Sequence, residues 1–75
     1  MDSIDELIKM GKKQLEGGQY DDALNLFQKA ILLNQNDPDL WNLKGIALRS
    51  LGRYNEAIEC FNKSLEIDPR DKNAS

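Results

Sequence analysis

Six side chains in this 75-residue chain have the types and spacing to hold a peptide: Lys9, Lys12, Asn42, Leu43, Ile46 and Arg49. Lys and Arg donate charge-assisted hydrogen bonds to a carboxylate, Asn donates and accepts, and Leu43 with Ile46 supplies apolar surface. Together they define a groove for an extended segment bearing a carboxylate and an apolar anchor, in which the basic groups steer and the apolar pair buries. A competing reading stands beside this one. Asp5–Lys9 and Lys12–Glu16 have i,i+4 spacing and can neutralise each other on a solvated face. Leu43 and Ile46 can instead pack against a preceding helix pair.

Other chemistry is poorly provided for. There is no His, and Cys60 is the lone cysteine, which rules out an intrachain disulfide and fits a buried thiol in a reducing, cytoplasmic compartment. Neither a phosphate-cradling glycine loop nor a Cys/His metal cluster is present, so no catalytic residue, metal or cofactor is expected. Paired acids such as Asp21-Asp22 are explained by a helix N-terminus, where carboxylates favour the positive end of the dipole. A net charge of −3 lacks the basic stripe of a nucleic-acid binder. The longest apolar run, Ala30 to Leu33, is far too short for a membrane span, and no leader-like segment follows Met1. The triplets Asn62-Lys63-Ser64 and Asn73-Ala74-Ser75 are read as chance matches to a glycosylation signal.

The elements that must position the groove are helices. Ser3-Ile4-Asp5-Glu6 is a capping box that starts a helix at Ile4, and Gly17-Gly18 ends it. A second helix carries Ala23, Leu24, Phe27, Ala30 and Ile31 on one face and stops at Asn34-Gln35-Asn36. Asp37 as N-cap and Pro38 at the first helical position open a third, which runs to Gly52. The fourth begins near Tyr54, ends before Asp68-Pro69, and carries an outer Glu59–Lys63 pair. Trp41 and Tyr54 are expected in the core, because aromatic residues at helical spacing usually face inward.

These helices form two hairpins because the sequence repeats. Gly11-x6-Gly18-x-Tyr20-x2-Ala23-x3-Phe27 returns 34 residues later as Gly45-x6-Gly52-x-Tyr54-x2-Ala57-x3-Phe61. A fixed period of that length marks a stacked repeat array. Gly11 or Gly45 on the first helix and Ala23 or Ala57 on the second let the helix axes approach, and Phe27 or Phe61 fills the space one turn on.

Trp41-x3-Gly45 with Tyr54, Ala57-x3-Phe61 and Asp68-Pro69 resembles the tetratricopeptide repeat. Leu7-x3-Gly11 with Tyr20, Ala23-x3-Phe27 and Ala30 resembles a weaker copy. The resemblance implies an all-α fold: two helix-turn-helix hairpins, four antiparallel helices, stacked as a short right-handed α-solenoid. Its first helices would line a concave face that holds a protein or peptide partner, with no enzymatic chemistry. One domain spans 1–75, with repeat 1 at about 4–37, repeat 2 at about 38–71, and 72–75 the truncated start of a further unit or a tail. The chaperone-binding members clamp a terminal carboxylate with a basic-and-Asn pattern. Ile8, Lys12 and Leu43 stand where that pattern has Lys, Asn and Asn, so that activity is not carried over. Arrays of this kind usually need about three units or a polar cap to cover their last apolar face. The last hairpin keeps Ile58, Phe61, Leu65 and Ile67, so the chain is expected to be a piece of a longer protein or a homo-oligomer through its C-terminal helix pair.

Overall fold

The computed structural model describes residues 3–69. Among them lie four helices and no strand: α1 Ile4–Glu16, α2 Tyr20–Leu33, α3 Pro38–Ser50 and α4 Tyr54–Ile67. Residues 72–75, expected to begin a further unit, lie outside the described residues.

Local chemistry sets the boundaries. The Glu6 amide donates to Ser3 Oγ at 3.2 Å while the Ser3 amide donates to Glu6 Oε1, closing the capping box. Asp37 accepts from the Asp39 amide at 3.0 Å, with Pro38 following where no amide is needed. The turns of both hairpins pass through a glycine in left-handed geometry, Gly18 at φ 81° and Gly52 at φ 82°. There the amide of the next residue reaches back into the helix, from Gln19 to the Gln14 carbonyl and from Arg53 to the Leu48 carbonyl. A side chain at either glycine would oppose that geometry.

α1 packs on α2 and α3 on α4, and α2 in turn packs on α3, so the hairpins stack in sequence order. Two apolar clusters hold them. Leu7, Ala30, Ile31 and Leu40 form one, flanked by Ile4, Ile8 and Leu26. Ala23, Leu24, Phe27, Ala47, Leu48, Ala57 and Cys60 form the other, flanked by Leu15, Leu43, Leu51 and Phe61. Trp41 touches both, and its Nε1–H donates to the Gln35 carbonyl at 2.9 Å, which fixes the helix α2–α3 turn from below.

Equivalent residues in the two repeats differ sharply in burial. Leu24 and Ile31 are 5% and 7% exposed beneath α3, whereas their partners Ile58 and Leu65 are 54% and 43% exposed. Tyr54, expected in the core, is 62% exposed. Its match Tyr20 is half-buried, since the hairpin that follows α2 has no counterpart after α4 among the described residues. The expected Glu59–Lys63 pair also gives way: Lys63 Nζ lies 4.0 Å from Glu66 instead.

Candidate functional site

The predicted groove residues fall on α1 and α3, the first helices of the two hairpins, which meet along a narrow contact. Lys9 and Lys12 are exposed on α1, and neither the Asp5–Lys9 nor the Lys12–Glu16 pair closes to ion-pair distance among the described residues. On α3, Asn42, Leu43 and Ile46 are half-buried and Arg49 is exposed. Leu43 leans on the Ala23–Phe27 cluster, so part of its side chain serves the inter-hairpin core. Arg49 lies over the Phe61 ring, its guanidinium carbon 5.9 Å from the centroid, an attractive placement against the ring face. Lys9 and Lys12 thus keep their charges unpaired among the described residues, Ile46 is half-buried, and Leu43 and Arg49 also belong to the packing.

Two open clefts flank Trp41, and sequence reasoning assigned them no role. One, of about 370 Å³, lies between α2 and α3 against Gln28, Ile31, Leu32 and Gln35. The other, of about 240 Å³, lies between α3 and α4 and reaches Leu48, Glu59 and Cys60. Lys44 and Lys63 approach the same indole, 5.4 and 6.0 Å from its centroid. The Trp41-x2-Lys44 spacing, one helical turn, was the available signal for the first of these contacts.

Charge at the α4 N-terminus is locally organised. Arg53 Nε and a terminal nitrogen donate to the two Glu56 carboxylate oxygens at 2.7 and 2.8 Å. That bidentate bond holds the Glu56 carboxyl below its ordinary range and raises the Arg53 guanidinium. Burial pushes the Cys60 thiol up, partly offset by the positive charge of Lys44. Among the described residues no three His, Cys, Asp or Glu side chains converge as a metal site would need, and no helix is long and apolar enough to cross a membrane.

Paired antiparallel helices, repeated at 34 residues with glycine against phenylalanine in each pair, define a helical-repeat interaction fold. The chain belongs to the tetratricopeptide repeat family: that family's profiles match residues 11–49 and 38–71. An uncharacterised protein of Methanocaldococcus jannaschii, MJ0572, is 46% identical over 72 residues, covering 87% of this chain and 84% of that protein. The signal recognition particle subunit SRP72 of Dictyostelium discoideum is 32% identical over 65 residues, and the Hsp70-Hsp90 organising protein of Plasmodium falciparum is 40% identical over 62. The chain spans only 10% and 24% of those two larger relatives. Its family is one of protein–protein interaction modules.

Proposed function

We propose that the chain holds an extended protein segment along the inner face formed by α1 and α3, with Lys9 and Lys12 receiving a carboxylate and Ile46 and Leu43 an apolar side chain. Asn42 and Arg49 flank that path. The observation that carries this reading is the state of the two lysines: both are exposed, and their i,i+4 carboxylates do not engage them. Exposed i,i+4 pairs are worth little in water, so both ammonium groups are free to meet a partner carboxylate. The relatives support the general mode, since they include an Hsp70-Hsp90 organising protein and peroxisomal targeting signal receptors.

The proposed partner is a peptide or protein, with no nucleic acid, no catalytic step and no cofactor. A cytoplasmic setting suits the lone, buried thiol of Cys60. Each groove position lies on a rigid helix, so binding requires little reordering of the receptor.

Affinity capture with the isolated domain, compared with Lys12→Glu and Ile46→Asp, tests the proposal. Both positions lie outside the buried clusters, so the variants are expected to stay folded by circular dichroism. Loss of the same captured protein in both supports the groove; retention in both, with the fold intact, overturns it.

A further inference from the structure

The exposed face of α4 has a pattern that fits a second copy of itself. Tyr54, Ile58, Phe61 and Leu65 fall on one side of the helix, with three of them exposed and Phe61 half-buried. One repeat earlier, Leu24, Phe27 and Ile31 of the matching stripe are buried in clusters shared with α3, and Tyr20 is half-buried. The structure thus shows, within one chain, that this stripe accepts a packed helix.

A second chain cannot supply that helix head to tail. On α3 the covering residues are Leu40, Leu43 and Ala47; the matching positions of α1 are Glu6, Lys9 and Lys13, all exposed. Docking α1 of another copy on α4 would bury three charges against an apolar stripe, at a cost no contact there offsets. Among the described residues, α1 offers no apolar face to this kind of contact, whereas α4 does.

What remains is α4 against α4. The stripe's spacings are 4, 3 and 4 residues, which read identically in both directions along the helix. Two antiparallel copies related by a twofold axis therefore match at every position, setting Tyr54 opposite Leu65 and Ile58 opposite Phe61, an aromatic against an aliphatic each time. The charged residues of α4, Glu56, Glu59, Lys63 and Glu66, fall outside the stripe on the helical wheel, while its outer edge carries only Asn55 and Asn62. On α4 itself no charge faces the stripe, and Arg49 of α3, over the Phe61 ring, borders it.

We infer that this chain forms a closed twofold dimer through Tyr54, Ile58, Phe61 and Leu65 of α4. An isologous contact of this kind stops at two copies, whereas a heterologous one would grow. The pairing runs along α4 and meets the α1–α3 groove only at Arg49, which lies over Phe61; Lys12→Glu tests the groove alone and Ile58→Lys the pairing alone.

Sedimentation equilibrium of the 75-residue chain, with isotope-filtered NMR on a mixed-label sample, tests it. The expected result is a mass that doubles with concentration and then levels, a monomer for Ile58→Lys, and intermolecular contacts between the Tyr54 ring and Leu65 methyls. Those groups are eleven residues apart on one helix, about 16 Å, too far for an intrachain signal. A monomer up to millimolar concentration, a mass that keeps rising, or a dimer lacking the Tyr54–Leu65 contact would each overturn the inference.

Discussion

Gly45 lies so close to Phe61 that a methyl group on its Cα would sit 2.6 Å from the ring's Cε1, and Gly11 stands to Phe27 at 2.5 Å in the same sense. In an open helix Gly→Ala stabilises by about 0.5–1 kcal/mol. Here the added carbon overpacks the hairpin, at about 1–3 kcal/mol. The two sites differ in what can yield: Phe27 is fully buried, whereas Phe61 is half-buried at the open end. Gly11→Ala is expected to lower the urea midpoint clearly with an unchanged slope, and Gly45→Ala by less. Adding Phe61→Leu to Gly45→Ala should recover part of the loss, and a gain in stability for Gly11→Ala would show that the contact is loose.

Ser64 is a buried polar residue of the second hairpin, and its Oγ has no hydrogen-bond partner among the described residues. Ala30 fills the matching slot in the first hairpin and is fully buried. Removing an unsatisfied hydroxyl recovers its desolvation cost of about 1–3 kcal/mol, less the small packing loss. Ser64→Ala is therefore expected to raise stability by about 1 kcal/mol, with a higher melting temperature. No change in thermal unfolding would mean that the hydroxyl is satisfied by water.

Helix limits were readable because they rest on neighbours in sequence. Ser3 with Glu6 and Asp37 with Pro38 act within one turn, and the structure starts α1 and α3 where they indicate. The repeat pointed to Gly11 with Ala23 and Gly45 with Ala57 as the close approach, with Phe27 or Phe61 one turn on; in the structure the rings lie directly against the glycines. Burial of Tyr54 was misread because that slot is covered only when another helix follows, a property of the neighbour and not of the residue. Lys63 illustrates a second limit: Glu59 and Glu66 are both one turn away, and rotamer geometry selects Glu66. The Arg53–Glu56 bond was legible as an i,i+3 pair at a helix start and went unassigned. For the groove, sequence supplied the side chains but not their second duties, such as Arg49 lying over Phe61.

The Arg53–Glu56 bond gives stability a defined acid dependence. Hydrogen bonding to Arg53 lowers the Glu56 value from 4.5, so the folded chain holds this proton less tightly than the unfolded one. The contribution is present above the unfolded value and is lost as pH falls through the folded one. The carboxylate is half-exposed, so the effect is small and weakened by salt. NMR titration should place Glu56 below an ordinary glutamate, and Arg53→Ala should return it. Glu56→Gln should flatten the acid limb of the stability profile; an unaltered limb would show that the ion pair does not persist in solution.

Cys60 sets the opposite dependence at alkaline pH. Its thiol lies in the cluster with Leu24, Ala47, Leu48 and Ala57, and removing the thiolate from water raises its value from 9.0. The unfolded chain therefore gives up this proton first. Stability from the neutral thiol is complete below the unfolded value and declines as pH rises through the higher native one. Lys44 tempers the shift through its positive charge, so Lys44→Gln should push the native thiol further up and steepen the decline. Replacing Cys60 with Ala should cost about 1 kcal/mol at pH 7 for the lost packing, and should flatten the limb above pH 9. The native protein should react with a thiol reagent far more slowly than the urea-unfolded chain. Equal rates at pH 8 would place the sulfur in solvent and remove the basis for the alkaline limb.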